Sequence, residues 1–151
     1  MKPNFKSLIV GEFENSDFEP CALLFQQVYQ ETHPDLPAQF KQTERFRSIL
    51  QHCKIAASHF WTAKNRDELV GFCVLLPNFL DQLYIANEFQ HRGLGTFWLE
   101  EAKRRYPEKL ELYTLASNVG AVKFYEKNGF KIKKRGIAPD EKVPDVLLAW
   151  P

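Results

Sequence analysis

A pair of glycines set between an apolar run and an amphipathic one constrains this chain more than any other feature. Leu80-Asp81-Gln82-Leu83-Tyr84-Ile85-Ala86 comes first, and Gln90-His91-Arg92-Gly93-Leu94-Gly95 with Thr96 follows. Leu94, Phe97, Trp98 and Ala102 then recur at helical spacing. The pattern predicts a strand, a glycine turn and a helix. Such a turn offers free backbone N–H groups at the positive end of a helix, a site for phosphate. Glycine lets the main chain approach an anion closely, and His91 and Arg92 add donors beside it.

Alone, the hexapeptide has a plain structural explanation, because many glycine turns start helices and bind nothing. A second segment adds weight. Ser117-Asn118-Val119-Gly120-Ala121-Val122-Lys123-Phe124-Tyr125-Glu126-Lys127-Asn128-Gly129-Phe130 reads as a helix that begins at a Ser or Asn cap and stops at Asn128-Gly129. Asn118 and Tyr125 fall on nearly the same helix face, roughly 10 Å apart along the axis.

Carrying both segments in this order, the chain resembles the GNAT superfamily of acetyl-CoA-dependent N-acetyltransferases. Gln90 to Gly95 is similar to that family's Gln/Arg-x-x-Gly-x-Gly/Ala pyrophosphate loop. Asn118 with Phe124 to Phe130 is similar to its second acetyl-CoA motif. The resemblance is strong from residue 79 to 134 and diffuse before it. It implies an α/β fold with a mixed, mostly antiparallel central sheet flanked by helices, in which a splayed strand pair holds acetyl-CoA. It further implies that Gln90, His91, Arg92, Gly93, Leu94, Gly95 and Thr96 hold the pyrophosphate. The backbone of Leu83, Tyr84 and Ile85 would hold the pantetheine arm and the thioester oxygen, with Asn118 and Tyr125 against the same arm.

Direct attack of an amine on the thioester is then the implied reaction, helped by juxtaposition of the reactants, oxyanion donors and a proton for the leaving sulfur. Tyr125 is the candidate acid, since a phenol with a pKa of about 10 is a neutral donor at neutral pH. The structural alternative is a core aromatic at the Ala121, Val122, Tyr125 spacing, and Asn118 could be a helix cap as well as a ligand. A general base is less legible. Some members of the family carry a carboxylate where this chain has Phe79, which cannot act as one. Asp81 lies two residues on, on the same strand face, as a candidate substitute; relay through water is the other route. Glu88 is a weaker candidate. His33, His52, His59 and His91 have no metal-ligand spacing, so no metal is expected.

Composition fits a small enzyme. The 151 residues, 44% hydrophobic, suggest one domain over residues 1–151 with a proper core. No apolar run is long enough to span a membrane, and the first residues lack the apolar stretch of a signal peptide, which points to the cytoplasm. Cys21, Cys53 and Cys73 read as reduced, buried thiols. A net charge of +1 argues against a dedicated nucleic-acid binder. Its distribution is uneven: residues 101–135 hold ten Lys or Arg against four Glu, and residues 1–35 two Lys against six acids. A polyanionic cofactor would be favoured by the second half, although most of those cations read as solvated faces.

Further strands are predicted at residues 7–10, 55–63, 68–76, 79–86, 110–115, 130–134 and 145–149, and further helices at 17–31 and 39–53. The acceptor is expected to be an amine-bearing substrate selected by those two helices, the loop 32–37 with His33 and Asp35, and the tail. The tail resembles the ending of small bacterial members of the family, where it completes the sheet and says little of substrate. Trp61, Trp98 and Trp150 are expected in the core or an interface. Three functions fit: an active transferase, a silent acyl-CoA sensor, and a toxin-like enzyme acetylating aminoacyl-tRNA. Relatives often pair near the tail, which makes a homodimer an open expectation.

Overall fold

From the amino end the elements are β1 (Leu8–Glu12), α1 (Phe18–Thr32), α2 (Thr43–Ala56), β2 (His59–Asn65), β3 (Glu68–Leu76), β4 (Phe79–Ile85), α3 (Leu94–Arg105), β5 (Leu110–Leu115), α4 (Val119–Lys127), β6 (Lys131–Ile137) and β7 (Pro144–Trp150). This computed structural model describes residues 7–151, so the start that argued against export lies outside the described residues. The strands form one sheet in the order β1-β2-β3-β4-β5-β7-β6. Every neighbouring pair is antiparallel except β4 and β5, which are parallel and meet at a single register pair, Phe79 with Glu111. Past that point the two strands diverge, giving the splayed pair in a mostly antiparallel sheet.

Helices cover both faces, as strand alternation requires. On one face Phe72 and Val74 of β3 pack under α1 and α2 with Phe25, Phe46 and Leu50. On the other, Cys73 and Leu75 of β3, Leu112 of β5 and Leu148 of β7 lie with Trp98 and Leu99 of α3 and Tyr125 of α4. Trp61 and Trp98 are buried, and Trp150 packs against the same core. The three cysteines are free and buried. Among the described residues no helix is long and apolar enough to cross a membrane.

β3 and β5 run over the residues the sequence assigned to them. Elsewhere the bounds move for identifiable reasons. Ile55 and Ala56, read as the start of a strand, close α2 instead, and Ile55 is 79% exposed. β-branching there signals nothing about pairing. The helix expected from residue 39 splits into a 3-10 turn (Ala38–Phe40) and α2 proper. Phe130 precedes β6, which runs on to Ile137, and β7 extends one residue each way to Pro144 and Trp150. β1 ends two residues later than expected, at Glu12.

Candidate active site

Because β5 leaves β4 after Phe79, the β5-facing edge of β4 has no strand partner, and a cleft of about 970 Å³ opens there. It is lined from β4 by residues 79–84, from β5 by residues 112–115, and from α4 by Ala121 and Tyr125, with Asn118 at the helix start. A volume of this size holds an extended cofactor arm together with part of an acceptor. Asp81, Leu83, Tyr84, Asn118 and Tyr125 are thus gathered around one space. Ile85 and residues 90–96 lie beyond it, in the turn that follows β4.

That turn is pinned by its own side chains. Gln90 Nε2 donates to the Ile85 carbonyl at 2.8 Å and to Asn87 Oδ1 at 3.1 Å, and the Arg92 guanidinium sits 4.9 Å from the centre of the Phe89 ring. His91 and Gly93 take left-handed backbone angles, with φ of 61° and 93°, a conformation that glycine adopts without steric cost and that histidine visits more often than most residues. Gly93 is the N-cap of α3 and brings no side chain to the first-turn N–H groups, which have no acceptor within the helix. Gly95 serves packing: a Cβ there would fall 2.9 Å from Phe124 Cζ, so its role is the close seating of α3 against α4. Leu94 is buried, which leaves only its main chain for a ligand, whereas His91, Arg92 and Thr96 are exposed.

α4 is held at both ends. Asn118 is the N-cap and its Oδ1 accepts from the Ala121 N–H at 3.1 Å. At the other end Phe130 N–H donates to the Tyr125 carbonyl at 3.0 Å and Gly129 N–H to the Glu126 carbonyl at 3.1 Å, with Gly129 at φ 93°. This is a Schellman stop, and its usual apolar contact is the Phe130 ring edge-on to Tyr125 at 5.7 Å. Asn128-Gly129-Phe130 therefore fixes where the Tyr125 ring points. Tyr125 is buried and lines the cleft, and among the described residues no side chain hydrogen-bonds its hydroxyl. Burial pushes its phenol well above the ordinary range, with Cys73 and Tyr84 adding to the shift, so the hydroxyl keeps its proton at any working pH. Tyr84 is raised too, mainly by burial, and its ring is stacked on Phe72 and lies 4.5 Å from that of Phe25.

Asp81 occupies a bulge, the one residue of β4 skipped between the Val74–Gln82 and Leu75–Leu80 pairs. Its Oδ2 accepts from Cys53 Sγ on α2 and from Gln82 Nε2, each at 3.3 Å. Burial, then the nearby carboxylate, raises the Cys53 thiol, which stays the donor. Glu88 is exposed in the 3-10 turn after β4 and outside the cleft. Of the histidines, His33 and His52 line the cleft, His59 stacks on Trp61 elsewhere, and burial lowers His33. Among the described residues no group of three His, Cys, Asp or Glu is placed to hold a metal ion.

The opposite wall was largely hidden in the sequence. Tyr29 of α1 donates to Glu141 Oε2 at 2.8 Å, and Arg45 of α2 lies 3.5 Å from the same carboxylate and 5.3 Å from the Tyr29 ring. Burial, then Glu141, pushes the Tyr29 phenol up to about 12. The tail thus reaches the cleft at Pro139, Asp140 and Glu141. His33 lines this wall, whereas Asp35 is exposed and outside it. No local pattern links residues 29, 45 and 141, so only the fold could reveal them.

A splayed strand pair, an uncapped glycine turn and a helix-borne tyrosine lie around one gap. Residues 25–130 match the model of the acetyltransferase (GNAT) family, and the chain belongs to that family as an acyltransferase enzyme. The peptidyl-lysine N-acetyltransferase YjaB of Escherichia coli (strain K12) is 33% identical over 120 residues, 78% of this chain and 78% of that protein. Peptidyl-lysine N-acetyltransferase YiaC of the same strain is 25% identical over 105 residues, 68% of this chain and 70% of that one. The solution structure of apo YjaB from Escherichia coli matches with a TM-score of 0.78 at 25% identity, covering 95% of this chain and 97% of that one. The PaiA N-acetyltransferase of Thermoplasma acidophilum, crystallised with coenzyme A, shares the fold with a TM-score of 0.69 at 20% identity, over 95% and 98% of the chains.

Proposed function

We propose that this chain, as one domain in the cytoplasm, moves the acetyl group of acetyl-CoA onto a primary amine, with protein lysine side chains as the acceptor class. The observation that carries the reading is the unpartnered edge of β4 facing Asn118 and Tyr125 across one cleft. The names of YjaB and YiaC support lysine as acceptor. PaiA, solved with coenzyme A, supports the cofactor.

The residues present fit that cofactor. Acetyl-CoA supplies an activated thioester carbonyl and a sulfur leaving group. The first-turn N–H groups at residues 93–96, with the His91 and Arg92 side chains beside them, offer donors to a pyrophosphate at the positive end of α3. Main-chain groups of Leu83, Tyr84 and Ile85 hold an extended arm in the way an added strand is held, and Asn118 shares its amide between cap and arm. Tyr125 keeps a proton on its hydroxyl for a departing thiolate. Asp81 takes the proton of the attacking amine.

Calorimetric titration with acetyl-CoA, followed by thiol release on a panel of lysine peptides and small amines, tests the reading. Binding with lysine-dependent release is expected. Binding without release would favour a sensor, and release only with aminoacyl-tRNA a toxin-like enzyme. Tyr125→Phe is expected to lower turnover roughly 100-fold or more at unchanged acetyl-CoA affinity; wild-type turnover would move the acid role to water.

A further inference from the structure

Four carboxylates line the cleft, and three have partners. Asp81 accepts from Cys53 and Gln82, Glu141 is held by Tyr29 and Arg45, and Asp140 lies 4.0 Å from Arg45. Asp145 differs. It is 9% exposed, it lines the cleft, and among the described residues no hydrogen bond or ion pair reaches its carboxylate. The residue is largely enclosed, yet its unpartnered carboxylate oxygens stay open to the cleft, so a cation entering from solvent can reach and pair with them.

The position is built rather than incidental. Asp145 pairs with Leu115 of β5 on one side and Gly136 of β6 on the other. Ala116 N–H donates to the Pro144 carbonyl at 2.9 Å and Asn118 N–H to the Leu115 carbonyl at 3.0 Å, so Asp145 is tied to the strand end that leads into α4. A Cβ on Gly136 would lie 3.2 Å from Asp145 Oδ1, tight enough that glycine is what leaves the carboxylate room. By alternation Tyr113 and Leu115 share its sheet face, opposite the buried Val146 and Leu148. Both line the cleft, and Tyr113 is 56% exposed. Lys134, two residues before Gly136, is the cation on this face of β6; it is exposed and not paired to Asp145.

We infer that Asp145 is the ammonium subsite for the acceptor: its carboxylate receives the charged amine of a lysine-type side chain whose aliphatic stem lies along Tyr113 and Leu115. This rests on the transferase reading above and adds to it the residue that recognises the acceptor. A slender primary ammonium satisfies a carboxylate so recessed, whereas a neutral side chain of equal length leaves it unpaired.

The test is calorimetry on wild-type and Asp145→Asn protein, each free and loaded with CoA, using a short peptide with one lysine and its norleucine counterpart. Wild type is expected to prefer lysine at least about tenfold, and Asp145→Asn to lose about 10- to 100-fold in lysine-peptide affinity. CoA affinity should not change. The melting temperature of Asp145→Asn should stay within a few degrees of wild type, because the change is isosteric and removes no partner among the described residues. Gly136→Ala, which crowds the carboxylate and keeps its charge, should weaken lysine binding severalfold and serves if Asp145→Asn does not fold. Equal affinity for the two peptides in wild type, or unchanged lysine affinity in the variants, would each overturn the assignment. Failure of CoA to bind would remove the transferase reading alone, since the free-protein arm still decides Asp145.

Discussion

The two walls of the cleft are built by opposite means. The wall assigned to acetyl-CoA is main chain: an open strand edge at Leu83 and Tyr84, a glycine turn at residues 90–95, and the start of α4 at Asn118. The wall we propose for the acceptor is side chain, made of Tyr29, Arg45, Glu141 and Asp145 from α1, α2, the tail loop and β7. A ligand read by backbone demands particular conformations, and those demand glycines and caps in a short stretch. A ligand read by side chains asks only that distant residues meet.

Gly93→Val strikes the first wall hardest. A β-branched residue at φ 93° is strained by about 1–3 kcal/mol and crowds the turn. Acetyl-CoA affinity should fall about 100-fold, of the order of two or three lost phosphate contacts, while lysine-peptide affinity in the free protein holds. Calorimetry with each ligand separates the two. If acetyl-CoA affinity survives, the turn at residue 93 is a structural stop and the division between the walls is wrong.

Glu141→Gln strikes the second wall. Tyr29 and Arg45 would lose their shared carboxylate, leaving the Arg45 guanidinium 80% buried beside an incoming cation with only the distant Asp140 to offset it. The KM for a lysine peptide should rise about fivefold, a partly screened repulsion of roughly 1 kcal/mol, and more at low salt. Acetyl-CoA affinity should not weaken. Steady-state kinetics at two ionic strengths checks it, and a salt-independent effect would mean lost packing instead.

The same contrast explains what could be read before folding. β3 and β5 are apolar runs bounded by turn residues, so their limits were legible to the residue. Asn128-Gly129 announced a helix stop, and only the fold added that the Phe130 contact orients Tyr125. Ile55 misled because exposure, not β-branching, decides its state at the end of α2. Glu141 lies 112 residues from the tyrosine it binds, and Asp145 looks like any polar residue opening a strand. Its recessed place in the cleft exists only once β5, β6 and β7 are assembled.

Tyr29→Phe makes the gentlest intervention, and it asks whether the acceptor wall is closed or solvated. The Tyr29 phenol titrates near 10 in the unfolded chain and is pushed up to about 12 in the folded one, by burial and by its bond to Glu141. The folded state therefore holds this proton longer. The resulting stability is fully present below pH 10 and is lost as pH rises from 10 toward 12, roughly 2–3 kcal/mol across that window. Between those limits wild type should lose melting temperature more steeply than Tyr29→Phe, while at neutral pH the KM for amine changes about twofold or less, the hydroxyl facing Glu141 rather than substrate. Parallel melting curves would mean that water reaches the Tyr29–Glu141 bond. The proposed acceptor wall would then be an open surface, and an ammonium drawn into the cleft would find in Asp145 a carboxylate without a partner among the described residues.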